Sequence, residues 1–268
     1  MAQSELDAHY DPSRPLADGE VATYFAAFDA ASARARDELA CTGDVRYGPH
    51  ERETLDYFPA HGPGAPLFVW VHGGYWRRLS KDAFSFVARP IVAAGGAVAV
   101  LNYPLAPEAS LDEIVAAVRR GYARALTCAG AARAYVGGHS VGAQLAATIA
   151  ARYDVRGMLA LSGLYDLEPL RRTYVNDWIA LDAASAARNG PLHLPPLGRP
   201  PLVVAVGGRE QAAFAEQQRR YVAAWRAWGG EAREIDAATH DHFSIVLELA
   251  DATSPLARAL VRLVGLAP

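Results

Sequence analysis

The chain has 268 residues, of which 51% are hydrophobic and 21% charged, with a formal net charge of −3 at pH 7. That balance supplies a sizeable buried core and argues against disorder, while the slight acidic excess leaves no basic footprint for a nucleic-acid backbone. Its two cysteines, Cys41 and Cys128, stand far apart without a neighbouring partner, so they offer neither a disulfide framework nor a thiolate metal site.

From the N-terminus, MAQSELDAHYDPSRP is polar and lacks the basic start and apolar stretch of a signal peptide, and no apolar run approaches the roughly 18 residues of a membrane span. The expected address is the cytoplasm, with no membrane partner. Residues 20–40 suit a helix with an apolar stripe of Val21, Tyr24, Phe25 and Phe28, giving an N-terminal helical arm over 1–45. Short aliphatic, often β-branched runs then follow at 67–71, 97–103, 134–137, 158–161, 202–206 and 232–235. Continuous runs of this kind belong to parallel strands buried on both faces.

Helical patterns separate them. Ser110 with Glu113 three positions on forms a capping box, and Leu111, Ile114, Val115, Val118 and Tyr122 recur at helical spacing. A second helix follows Ser140, and a third covers about 211–228 with Phe214, Tyr221, Trp225 and Trp228 as its apolar members. Alternating β and α elements predict a doubly wound, mostly parallel sheet in a single α/β domain over 1–268, with ligands beyond the carboxyl ends of its strands. Residues 164–200 exceed a simple crossover and predict a lid or cap insertion.

Gly138-His139-Ser140-Val141-Gly142 lies directly after a strand and directly before a helix. In that setting a serine on a tight turn presents its hydroxyl as a nucleophile, and the flanking glycines spare the turn from backbone collisions. A glycine-rich turn without chemistry is the alternative. His72-Gly73-Gly74-Tyr75-Trp76 ends another strand. The N–H groups of Gly73, Gly74 and Val141 are the predicted oxyanion hole of an acyl-transfer site, against the alternative of a plain turn. His72 is expected to brace this loop rather than act as a base.

A serine of this kind is followed in the chain by an acid and then a histidine. Thr239-His240-Asp241-His242-Phe243 offers two imidazoles, and His242 is preferred over His240 because it immediately precedes an apolar helix start. The His-x-His pair has no third ligand at a recognisable metal spacing, so no metal and no cofactor are expected. Glu210, after the strand at 202–206, is the expected acid, with Asp166 as its rival.

Substrate contacts are expected from His72, Tyr75, Trp76 and Tyr165, with Tyr174 and Trp178 adding to an aromatic pocket unless these rings are ordinary core. Arg77, Arg78, Arg171 and Arg172 are candidates for a substrate carboxylate. The partner is thus a small molecule, and a homodimer is compatible with the chain.

The His-Gly-Gly-Tyr-Trp segment at 72–76 resembles the serine-hydrolase type of kynurenine formamidase, or arylformamidase, of the α/β-hydrolase superfamily. Tyr47-Gly48, Leu55-Asp56-Tyr57-Phe58-Pro59, Asn102-Tyr103-Pro104-Leu105-Ala106-Pro107, Gly138-His139-Ser140, Ser162-Gly163-Leu164-Tyr165-Asp166-Leu167 and Asp241-His242-Phe243 are similar to family segments in the family's order. The resemblance implies an α/β-hydrolase fold, Ser140 as nucleophile, His242 as base, Glu210 as acid and the 73–74 loop as oxyanion hole. It further implies metal-free hydrolysis of N-formylkynurenine to kynurenine and formate. The chain carries Val141 where a smaller residue is frequent, and Glu210 where aspartate is familiar in eukaryotic members. A general carboxylesterase is the alternative on the same machinery, and a non-catalytic binding module on a hydrolase fold is the alternative from another class.

Overall fold

The computed structural model describes residues 3–60, 62 and 64–267; positions 1, 2, 61, 63 and 268, which fall within the expected arm and domain, lie outside the described residues. Eight strands form one sheet: β1 (Thr42–Arg46), β2 (Thr54–Phe58), β3 (Leu67–Val71), β4 (Ala97–Leu101), β5 (Tyr135–His139), β6 (Met158–Leu161), β7 (Leu202–Ala205) and β8 (Ala232–Glu234). Their order is β1-β2-β4-β3-β5-β6-β7-β8. The first two are antiparallel to their neighbours, and β3 to β8 pair in parallel.

Side chains alternate across the sheet, and both faces are covered. Along β3, Leu67, Val69 and Val71 join one core while Phe68 and Trp70 join the other. Every residue of β3 is buried, which explains a strand with no polar alternation.

The helices in chain order are α1 (Gln3–His9), α2 (Glu20–Glu38), α3 (Ala88–Ala93), α4 (Leu111–Ala129), α5 (Val141–Ala150), α6 (Asn176–Ile179), α7 (Ala183–Asn189), α8 (Ala212–Ala227), α9 (Ser244–Leu247) and α10 (Pro255–Leu263). α4 begins with the expected capping box of Ser110 and Glu113 and ends at Gly130, whose left-handed φ of 59° closes the helix. No described helix is long and apolar enough to cross a membrane.

Two details differ from the expected boundaries. β5 continues through Gly138 and His139, which pair with Ala160 and Leu161 of β6, so the glycine that reads as the start of a turn still belongs to the sheet. β4 ends at Leu101, short of the expected 103, although the backbone N–H of Asn102 still donates to Thr54 of β2 at 2.9 Å.

Where a helical arm is expected over 1–45, α1 and α2 end at Glu38 and β1 already begins at Thr42. α2 packs on a 3-10 segment at Lys81–Val87 through Phe28, whose ring lies 5.6 Å from Phe84 and 6.0 Å from Phe86. Between β6 and β7 the long insertion consists of α6, α7 and two short 3-10 turns.

Candidate active site

Ser140 sits between the end of β5 and the start of α5 with φ 57° and ψ −126°. A non-glycine residue held at such positive φ costs about 1–3 kcal/mol, which the surrounding packing must offset. Part of that support is a 2.8 Å bond from the Ser140 amide to the carbonyl of Leu161. The flanking glycines are required by close approach: a Cβ on Gly138 would lie 2.3 Å from the carbonyl carbon of Gly142, and one on Gly142 would lie 2.1 Å from the carbonyl oxygen of Val71.

The diglycine loop runs against this turn. A Cβ on Gly73 would lie 2.8 Å from the carbonyl oxygen of His139 and 3.3 Å from the Cβ of Ser140. Gly74 adopts φ 107°, and its carbonyl accepts from the amides of Arg77 and Arg78, both at 3.0 Å. The amides of Gly73 and Gly74 make none of the turn and loop backbone hydrogen bonds among the described residues. That of Val141 is the first of α5, one of the N–H groups a helix leaves without an internal partner. These three amides lie beside the nucleophile turn with no backbone acceptor among the described residues outside the helices and strands.

His242 and Glu210 meet directly: Nδ1 lies 2.6 Å from Oε2, and both side chains are almost wholly buried. The other carboxylate oxygen, Oε1, accepts from the Ser162 hydroxyl at 2.5 Å and from the Gly207 amide at 2.6 Å. The carboxylate is thus held at both oxygens and presents one to the imidazole, which leaves Nε2 as the ring's free nitrogen. Asp166 lies elsewhere, accepting from the Glu168 amide at 3.1 Å and from Arg220 at 2.7 Å. His240 faces Glu248 at 3.5 Å.

Ser140, His139 and His242 line one cavity of about 210 Å³. The His242 ring makes its hydrogen bond to Glu210 and none to Ser140 Oγ; a base and its nucleophile commonly close to hydrogen-bond distance only around a substrate. The ring of His139 packs 4.6 Å from that of His242, and burial drives its pKa well below the usual histidine value, with His242's charge adding to the effect. A neutral ring beside the base adds no second positive charge.

Three of the four expected substrate contacts are placed differently. His72 is fully buried, stacks on Tyr103 at 4.2 Å and donates from Nδ1 to the Gly73 carbonyl at 2.7 Å, so it braces the loop as its position suggested. Trp76 is fully buried and donates to Gln144 of α5 at 3.1 Å. Tyr165 stacks on Tyr221 of α8 at 3.8 Å. None of the three borders the cavity. Large rings at strand ends gain more by entering the core between sheet and helices than by lining a cleft. Tyr75 and Tyr174 do line it, whereas the Trp178 indole donates to the Tyr75 carbonyl at 3.0 Å from behind and carries the Arg77 guanidinium on its ring at 4.7 Å.

Sequence reasoning missed the opposite wall. Asp11, Pro12 and Ser13, with Val21, Phe25 and Phe28 of α2, complete the cavity. The apolar stripe of α2 was legible, but nothing in its spacing indicates that it packs over the catalytic end of the sheet. The role of Ser162, which stands in a family-like segment, was also missed, although it directly follows β6 with φ 48° much as Ser140 directly follows β5.

Residues 68–244 match the family described as alpha/beta hydrolase fold. The kynurenine formamidase of Danio rerio is 34% identical over 285 residues, spanning 99% of this chain and 97% of its own. That of Salmo salar is 32% identical over 99% of this chain and 97% of its own. Among solved structures, a candidate thioesterase from Silicibacter sp. superposes with a TM-score of 0.85 at 30% identity, covering 94% of this chain and 97% of its own. Esterase B from Lactobacillus rhamnosis, at 16% identity and a TM-score of 0.69 over 93% of this chain and 97% of its own, shares the fold.

Proposed function

Because the chain belongs to the kynurenine formamidase family of the α/β-hydrolase fold, we propose that it hydrolyses N-formylkynurenine to kynurenine and formate, with Ser140 as nucleophile, His242 as base and Glu210 as orienting acid. The observation that carries this reading is the 2.6 Å contact between His242 Nδ1 and Glu210, placed at the cavity that Ser140 also lines.

In the first half-reaction Ser140 Oγ attacks the formyl carbon while His242 Nε2 takes its proton. The carbonyl oxygen gains negative charge, and the amides of Gly73, Gly74 and Val141 receive it. Glu210 keeps Nδ1 protonated and stabilises the imidazolium. Collapse of the intermediate breaks the C–N bond, and the proton passes from Nε2 to the departing aryl amine, leaving a formyl ester on Ser140. Water, deprotonated by His242, then attacks that ester, and formate leaves as the proton returns to Oγ.

The same machinery would serve a carboxylesterase, but the solved esterases at 16% identity speak for the fold alone. Comparing kcat/KM for N-formylkynurenine with that for p-nitrophenyl acetate decides between the two. A formamidase turns over N-formylkynurenine with at least a hundredfold higher efficiency, and the reverse order would overturn the assignment.

A further inference from the structure

Four arginines stand near the motifs, and the structure separates them. Arg77 lies over the Trp178 ring, Arg171 is paired with Glu168 at 2.6 Å, and Arg172 borders a different surface hollow with Thr173 and Asn176. Arg78 alone of the four borders the cavity that holds Ser140, and no carboxylate among the described residues lies within 4.0 Å of it. Its backbone is fixed to the oxyanion loop, since its amide donates to the Gly74 carbonyl at 3.0 Å and Arg52 holds the next carbonyl, that of Leu79, at 2.7 Å.

The same cavity carries one acid besides the buried machinery. Asp11 closes a tight turn in which its Oδ1 accepts from the Ser13 amide at 3.0 Å and the Ser13 hydroxyl at 2.6 Å, leaving Oδ2 without a partner among the described residues. Its carbonyl accepts from the side chain of Gln211, the residue after Glu210. One charge is therefore anchored to the oxyanion loop and the other to the loop of the acid. Tyr174 borders the same cavity and donates its hydroxyl to the Tyr10 carbonyl at 3.4 Å; burial and then the charge of Asp11 push its pKa up, while that of Arg78 pulls it down. Opposite charges that share a cavity without meeting leave a space suited to a ligand bearing one charge of each sign.

We propose that Asp11 and Arg78 form a zwitterion clamp, Arg78 holding the α-carboxylate and Asp11 the α-ammonium of the substrate's amino-acid side chain. The apolar side chains of Val21, Phe25 and Phe28 offer the surface for its ring. The clamp rests on the formamidase reading and names what makes that site choose an amino acid. It selects a zwitterion over a plain aryl ester because a ligand lacking either charge leaves one clamp residue without its partner.

The test is calorimetric titration of the full-length chain with L-kynurenine, with its analogue lacking the carboxylate (kynuramine), and with its analogue lacking the amine. Arg78→Met is expected to weaken kynurenine about tenfold and to leave kynuramine unchanged. Asp11→Asn is expected to weaken kynurenine by a similar factor and to leave the analogue without the amine unchanged. Arg78→Lys, which keeps the charge, recovers part of the loss, and circular dichroism checks that each variant is folded. If Arg78→Met weakened kynurenine and kynuramine equally, or neither, or if the wild-type chain bound no kynurenine, the clamp would be refuted. Binding needs no turnover, so a chain that binds kynurenine in this pattern yet leaves N-formylkynurenine intact would refute the proposed reaction and not the clamp.

Discussion

The hydroxyl of Tyr24 on α2 donates a 2.7 Å hydrogen bond to Oδ2 of Asp241, the residue directly before His242. The other oxygen of Asp241 accepts from the amides of Phe243 at 2.8 Å and Ser244 at 2.9 Å, so one carboxylate both caps the turn into α9 and ties down the arm. The Tyr24 ring also stacks on Phe243 at 5.8 Å. The arm that walls the cavity and the loop that carries the imidazole are thus a single mechanical unit.

Tyr24→Phe keeps the stack and removes the bond. It should cost about 1 kcal/mol of stability, and the looser histidine loop should lower kcat for N-formylkynurenine by roughly three- to tenfold with little change in KM. Urea unfolding and steady-state kinetics measure the two effects; an unchanged kcat would separate the arm from catalysis.

Ser140→Ala should reduce kcat by about 10⁴-fold or more while leaving the circular dichroism spectrum intact. Glu210→Gln should cost on the order of 10³–10⁴, since the amide no longer fixes the imidazole tautomer. Ser162→Ala should cost about tenfold, because the Gly207 amide still holds Oε1. A Ser162→Ala enzyme as impaired as Glu210→Gln would mean that the serine does more than orient the acid.

Burial lowers the pKa of His72 to about 4 from an ordinary 6.5. A depressed folded-state value means that the unfolded chain binds the proton more readily, so the stabilisation is complete above pH 6.5 and is lost as pH falls toward 4. The loss over that window is on the order of 3 kcal/mol for this residue, and His139, shifted in the same direction, adds to it. Denaturant unfolding at pH 7, 6 and 5 should show this fall, and His72→Phe should flatten it. An equal slope in the variant would place the acid sensitivity elsewhere.

Gly142→Ala places a methyl group 2.1 Å from the Val71 carbonyl oxygen, a contact that only backbone movement relieves. We expect a loss of about 3 kcal/mol or more and almost no activity. Thermal unfolding that matched the wild type would show that the turn yields more easily than its geometry implies.

The parallel strands were legible because burial on both faces leaves continuous aliphatic runs, as in β3 and β6. β1 was not, since it is largely exposed and becomes a strand only by pairing along β2, and nor was β2, which, though buried, carries Thr54 and Asp56 among its apolar residues. α10 also went unread, though its side chains complete the core on the α2 side of the sheet. At the site, Ser140, the diglycine loop and His242 announce themselves because each stands in a local pattern that its chemistry demands: a strand end, a tight turn, or an order along the chain.

Local pattern therefore determined the class of fold and the reacting groups. Tertiary structure alone decided which acid meets His242, since Glu210 and Asp166 both follow strands and only packing turns one toward the ring. It also decided which aromatics face the cavity and which sink into the core, and it brought Asp11 and α2 from the start of the chain over the serine. Such neighbours lie more than a hundred residues apart in the chain, and no spacing along it records a contact made only when the arm folds back across the sheet.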